Sequence, residues 1–265
     1  MDLYRRLLSA QIRGQLQYPV SFALDVISVL ANTVLWFFTL ALLLQRFRNV
    51  AGWSLGEIAF LYSLIEVSFG LSDMIFSGFD PDVFGEQVRR GTLDQLLLRP
   101  VRITLQVLGS RFLLKRLGRV AQGVAVFALA LHLAHPHWTI AKTLYLPVVL
   151  SSLVCFFGGL YLVGSTITFW TVQSVEAVNI FTYGGSELMS YPMPIYQDWM
   201  RRTFTYLIPA AFLSYYPTLY FLDRADPLGL PGWTSFLAPV AGCGVLCAAL
   251  LFWRHGLRHY QGTGS

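Results

Sequence analysis

Residues 144–168 read LYLPVVLSSLVCFFGGLYLVGSTIT, twenty-five positions without one charged side chain. Coiled as an α-helix this run is about 37 Å long, more than the roughly 30 Å of hydrocarbon in a bilayer. A helix on the surface of a soluble domain needs a polar face, and this one has none. Outward from it, Phe22–Leu44, Leu55–Ser77, Leu117–Leu133 and Ser235–Trp253 have the same character. A sixth segment, Trp170–Met189, is more polar, and Phe204–Leu222 is apolar but interrupted by Pro209 and Pro217. Over the whole chain 55% of residues are hydrophobic and 12% charged, against about a quarter charged in soluble domains. The expected fold class is therefore an all-α polytopic membrane protein. The first apolar run exceeds the roughly 7–15 residues of a signal-peptide core and no small-x-small cleavage site follows it, so it is expected to remain as a span.

Composition also narrows the chemistry. The two lysines, Lys115 and Lys142, do not follow glycine, so the Gly-Lys-Ser/Thr cradle that holds nucleotide phosphates is absent and no ATP hydrolysis by that route is expected of this chain. No G-x-S-x-G or H-E-x-x-H run is present, which argues against the corresponding nucleophile and zinc chemistries. Cys155, Cys243 and Cys247 lie in apolar segments and read as small packing residues. His132, His135 and His137 cluster beyond the third span, but Pro136 breaks helical spacing and no carboxylate or cysteine is near in sequence; an interfacial loop explains them better than a metal site.

The net charge of +5 reports topology rather than nucleic-acid binding, because basic residues concentrate in cytoplasmic loops. Arg5, Arg6 and Arg13 precede the first span. Arg89, Arg90, Arg99, Arg102, Arg111, Lys115, Arg116 and Arg119 fall between the second and third, and Arg254 and Arg258 follow the last. Six spans put all of these on the cytoplasmic side, with both termini inside. Residues 1–20 are expected to hold an interfacial helix: Leu3, Tyr4, Leu7, Leu8 and Ala10 share one arc, and Arg5, Arg6, Ser9 and Arg13 the opposite one. Residues 191–222 carry Pro192, Pro194, Pro209 and Pro217. Proline at such intervals breaks helices, and the expectation is two short re-entrant pieces, Gln197–Leu207 and Ala210–Leu222. The rival reading makes Phe204–Leu222 the fifth span and Trp170–Met189 an interfacial helix.

The loop at 78–103 is the most informative. Asp80 can cap a helix with Pro81 in its first position, where proline costs no hydrogen bond. Gly91 can end that helix in a left-handed turn. Thr92 or Asp94 can start a second helix that stops at Pro100. The product is a cytoplasmic knob with Val83, Phe84 and Val88 beside Glu86, Arg89 and Arg90, suited to a groove on a soluble partner. A surface loop that merely satisfies the charge rule is the alternative.

The run Arg90-Gly91-Thr92-Leu93-Asp94-Gln95-Leu96-Leu97-Leu98-Arg99-Pro100 resembles the motif after the second span in small permeases of the ATP-binding-cassette type-2 exporter family. The runs Tyr191-Pro192-Met193-Pro194-Ile195-Tyr196, Ile208-Pro209-Ala210-Ala211-Phe212 and Tyr215-Tyr216-Pro217, and the ending Leu257–Ser265, are similar to that group too. The resemblance covers essentially the whole chain, so that 1–265 reads as one transmembrane permease domain. It implies six spans, an N-terminal interfacial helix, a coupling helix at 78–103 and re-entrant helices at 191–222. It implies a second permease subunit, identical or paralogous, and two copies of a separate ATPase that carries the ATP and Mg; no cofactor is implied for this chain. The subgroup includes viologen-type and multidrug exporters, and the implied localisation is the plasma (inner) membrane of a prokaryote. The coupling element would fall within Pro81–Asp94, on Pro81, Val83, Phe84, Glu86, Arg89, Arg90 and Asp94.

Charges inside a bilayer cost about 2.5–3.5 kcal/mol each on insertion scales, so acids in the spans ask for a reason. Glu66 lies midway along the second span, with Asp73 seven residues on; Asp25 and Glu176 lie toward the cytoplasmic ends of the first and fifth. With no lysine or arginine expected at mid-depth, these four are candidates for a substrate path. Aromatic faces such as Trp36, Phe69 and Trp170 could help it draw a lipophilic cation. Capping, hydrogen bonding or protonation by burial explains each acid singly. Ala238/Gly242 and Gly244/Ala248 are four-residue pairs that could let the last span pack closely on a neighbour. A self-contained ion-coupled transporter or channel using Glu66 and Asp73 is the alternative function, and a membrane enzyme acting on lipid a third.

Overall fold

The computed structural model describes residues 2–47, 51–171 and 180–260, with the backbone alone at 2–8, 33, 36, 37, 39–41, 43–47, 180 and 181. Among the described residues the chain is helical without strands. Helix α1 is Asp2–Leu16, α2 Pro19–Phe47, α3 Leu55–Phe76, α4 Pro81–Arg89, α5 Thr92–Leu97, α6 Ile103–Ser110, α7 Leu117–Ala134 and α8 Ile140–Ile167; the C-terminal helix is Ala238–His259. Among the described residues four stretches are long and apolar enough to cross a membrane: Leu55–Arg89, which runs from α3 through a tight turn into α4, then Leu114–Ala134, Ile140–Ile167 and Ala238–His259. In α2 the apolar stretch that can be described is Pro19–Asn32. The molecule is a polytopic helical membrane protein.

The long helices stand in a row, α2–α7–α3–α8 and then the C-terminal helix, each packed on its neighbours. Helix α3 is the centre, and every residue from Ile58 to Gly70 is buried. That is why its sequence is apolar around its whole circumference rather than striped. Glycines let it approach α7 closely. A Cβ at Gly56 would lie 2.7 Å from the Ala134 nitrogen, one at Gly70 2.9 Å from Val120, and one at Gly123 3.0 Å from the Val67 nitrogen. The two helices therefore run antiparallel with Gly123 opposite Val67. Ser54 starts α3 with a reciprocal cap: its backbone N–H donates to Glu57 at 2.7 Å and its hydroxyl accepts from the Glu57 N–H.

The small residues of the C-terminal helix divide. Ala238 and Gly242 are buried against α8, where a Cβ on Gly242 would sit 2.2 Å from the Ser152 carbonyl oxygen. Gly244 and Ala248 face outward.

Over the α3–α8 seam lie short pieces: a π turn at Ile180–Gly184, helix Gly185–Met189, helix Asp198–Arg202 continuing into a π turn at Thr203–Leu207, and helices Ala210–Leu213 and Tyr215–Phe221. The stretch 204–222 is broken after Leu207 and again at Ser214, so it is not one continuous span as the rival sequence reading required. Pro209 has no N–H to continue the preceding turn. Residues 172–179 of the other candidate for the fifth span lie outside the described residues. So do the side chains of residues 3–8, on which the amphipathic arc of α1 rests.

Two ion pairs tie this segment to the end of the molecule opposite the arginine-rich loop. Buried Lys142 donates to Asp223 at 2.7 Å and to the carbonyls of His137 and Phe221 at 2.9 and 3.1 Å. Arg224 donates to Glu57 at 2.7 Å and lies 4.8 Å over the Trp53 ring.

Candidate coupling surface and intramembrane charges

At the arginine-rich end, α4 begins where its residue types dictate. Asp80 accepts from the Asp82 N–H at 3.0 Å and Pro81 occupies the first helical position. After Arg89 the chain turns through Gly91 at φ +66°, a left-handed conformation that a Cβ disfavours. Thr92 donates back to the Gln87 carbonyl at 3.0 Å, so α4 and α5 form a closed helical hairpin. Gly78 lets the hairpin's root approach α6, since a Cβ there would lie 1.9 Å from the Val107 oxygen.

The hairpin divides into two faces. Pro81, Phe84, Val88 and Leu93 are buried. Phe84 rests edge-on against Phe169 at 5.5 Å and Trp253 at 5.2 Å, with Phe79 behind it. Trp253 in turn donates to the Thr104 hydroxyl at 3.1 Å. Asp82, Glu86, Arg89 and Arg90 face outward, with Glu86 and Arg90 paired at 2.5 Å; Val83 and Asp94 are half-buried. This corrects the expectation that Phe84 and Val88 tip an inserting knob. A short amphipathic helix satisfies its apolar face against whatever core is nearest, and here that is its own chain. Phe84 and Pro81 anchor the element, and the charged face is the one left exposed.

The acids of the spans also need correcting. Glu66, 3% exposed, accepts two hydrogen bonds from Arg119, Nε at 2.6 Å and Nη2 at 2.7 Å. The same guanidinium lies 4.4 Å over the Phe69 ring. Asp73, fully buried, lies 2.7 Å from Arg116. The expectation that no basic residue stands at their depth is therefore wrong. In linear order Arg116 precedes the third span and Arg119 stands in its first turn, and the antiparallel register of α7 on α3 brings that turn level with residues 66–73. A buried guanidinium fork holding a carboxylate at both oxygens neutralises it. Asp25 is largely exposed, 4.0 Å from Lys115. Glu176 and the Trp36 side chain lie outside the described residues. Of the other aromatic candidates, Phe69 packs T-shaped on Phe157 at 5.0 Å, and Trp170 stacks on Phe252 at 5.7 Å. Among the described residues, Glu66 and Asp73 are each paired with an arginine inside the bundle and Asp25 is exposed.

Three features went unread in the sequence. Glu187, on Gly185–Met189, is exposed and makes no salt bridge among the described residues. The Lys142 and Arg224 clamps join residues 81 and 167 positions apart. The one available signal was Lys142 itself, a lone cation three residues after a Thr cap and next to a long apolar run.

The fold defines a polytopic helical membrane protein with a charged hairpin mounted on its arginine-rich end. The chain belongs to the ABC-2 family of transporter proteins, whose family model matches residues 30–264. It is thus a transmembrane subunit of an ABC transporter, and the family implies partnership with an ABC ATPase subunit. No curated protein and no solved structure matches the chain.

Proposed function

We propose that this chain is the permease of an ATP-driven exporter, moving a hydrophobic or amphiphilic substrate, in one version a cationic drug-like molecule, out of a prokaryotic cell. The observation that carries the reading is the two-faced hairpin at 78–103. Its outer face of Glu86, Arg89 and Arg90 is exposed, while Phe84 and Val88 lock its inner face to Trp253 of the C-terminal helix and to the end of α8. A force applied by an ATPase to the charged face therefore reaches two spans through one close-packed cluster, and packed interiors transmit displacement rather than absorb it. ATP and Mg belong to that ATPase.

In this reading the arginine-rich end is cytoplasmic, both termini are inside, and the chain crosses the plasma membrane six times. Positions 170–189 supply the fifth span and 191–222 the re-entrant helices. Two permease subunits, identical or paralogous, pair and engage two ATPases. The paired state of Glu66 and Asp73 weakens the ion-coupled alternative, since neither acid is left free to take up and release an ion.

The test is co-purification of the ATPase with wild-type, Glu86→Arg and Arg90→Glu chains, followed by ATP-dependent transport in vesicles. Loss of a close interfacial charge pair and its replacement by repulsion should weaken capture by at least about tenfold, with the permease's thermal midpoint unchanged. Transport by vesicles containing this chain and no ATPase would overturn the proposal.

A further inference from the structure

Between α8 and the broken segment lies a cavity of about 200 Å³. Phe156 and Leu160 of α8 form one wall, Leu188 and Met189 a second, and Phe204 and Ile208 a third. Gly184, Gly185 and Ala210 complete it, so among the described residues no charged or hydrogen-bonding side chain lines it. An apolar cavity of about 150 Å³ stays dry and holds a benzene ring, so this one takes an apolar group with no polar partner.

Two further observations mark the cavity as built rather than as a packing flaw. Both of the π turns, Ile180–Gly184 and Thr203–Leu207, end at its wall. The second is closed by the Ile208 N–H donating to the Thr203 carbonyl at 2.8 Å. Such turns are rare and concentrate at functional sites, because the extra residue re-aims the side chains that follow. Gly185 also stands with open space where a side chain would be: a Cβ added there has no heavy atom within 4 Å. Gly185 opens the helix that continues directly from the first π turn, and among the described residues no close backbone approach explains a glycine there. Between Phe204 and Ile208, Tyr206 and Leu207 turn outward at 70% and 79% exposure. The cavity thus lies just beneath an exposed apolar surface.

We infer that this cavity is a binding site for an aliphatic chain entering sideways from the membrane. The chain can belong to a free amphiphile or to a phospholipid; the chemistry recognised is the same. The site lies apart from the ATPase-coupling face and does not depend on how transport is powered.

The experiment uses the whole protein in lipid nanodiscs with two probes, a palmitic acid carrying a mid-chain diazirine and a phosphatidylcholine carrying the same chain. After illumination, adducts are mapped by mass spectrometry. Adducts are expected on 184–189 and 204–210 in the wild type and in Gly185→Ala. They should fall by at least about tenfold in Gly185→Phe, whose ring occupies the space of several buried methylenes. Leu188→Trp, filling from another wall, should act likewise, and elution profile and thermal midpoint report folding. Adducts from the phospholipid alone identify a membrane lipid as the occupant; adducts from the free acid identify an amphiphile. Either supports the site. Excess unlabelled palmitate or phospholipid must compete with its own probe, which keeps the test decisive if both filling variants misfold. Labelling elsewhere, labelling indifferent to the filling variants in folded protein, or failure to compete would overturn the inference.

Discussion

Replacing Arg119 by methionine keeps most of the side-chain volume and removes the guanidinium, leaving Glu66 buried at 3% exposure with its two hydrogen bonds of 2.6 and 2.7 Å gone. Breaking a buried pair from one side costs about 3–5 kcal/mol, because an uncompensated charge remains. At roughly 2–4 °C per kcal/mol for a chain of this size, the thermal midpoint should fall by about 6–20 °C. Glu66→Gln leaves a cation that is 11% exposed in its side chain and should be destabilised less, since arginine is the more weakly hydrated ion and can reach the interface. The double variant Glu66→Gln/Arg119→Met removes both charges and should recover much of the loss, giving a coupling of about 2–3 kcal/mol in a double-mutant cycle. The assay is thermal unfolding of the four proteins in one detergent, followed by vesicle transport. Additive losses, or an Arg119→Met protein as stable as wild type, would refute the assignment of this pair as a neutralised structural bond and return Glu66 to the candidate substrate path.

Phe84→Ala should cost about 3–5 kcal/mol as an aromatic core deletion and lower the yield of folded protein, whereas Arg90→Glu on the opposite face of the same helix should leave the thermal midpoint within about 1 kcal/mol of wild type; equal effects would contradict the two-faced hairpin. Gly242→Leu should separate α8 from the C-terminal helix, because even a Cβ there meets the Ser152 oxygen at 2.2 Å. Gly244→Leu, with nothing within 4 Å, should be tolerated, as read by folded yield after purification. Lys142→Met should strand the Phe221 and His137 carbonyls and half-exposed Asp223, for about 1–3 kcal/mol, and speed hydrogen exchange at 221–224; unchanged exchange there would argue against the clamp.

Much of the local structure was legible because its causes are local. The limits of α3 and α7 follow from runs of apolar residues bounded by Ser54 and Arg116, whereas α8 starts at Ile140, four residues before the expected span, because Thr139 caps it. The start of α4 follows from Asp80 and Pro81, and its end from Gly91. Proline spacing likewise foretold a broken 204–222. The small-residue pairs of the last helix could be placed only in part, since Ala238/Gly242 and Gly244/Ala248 have the same spacing and differ in which neighbour stands opposite.

By itself the sequence determined that this chain lies in a bilayer, which end gathers the arginines, and where a capped charged hairpin interrupts the spans. These depend on hydrophobicity, charge and backbone preference, properties carried by each residue and its near neighbours. The tertiary structure decided the state of the buried charges among the described residues. Arg119 belongs to Glu66, Arg116 to Asp73 and Lys142 to Asp223, and Phe84 points into its own protein rather than at a partner. Those outcomes rest on the antiparallel register of α7 on α3 and on how the broken segment folds back over α8. Glycine contacts and buried volume set that geometry between residues far apart in the chain, and no spacing along the sequence encodes it.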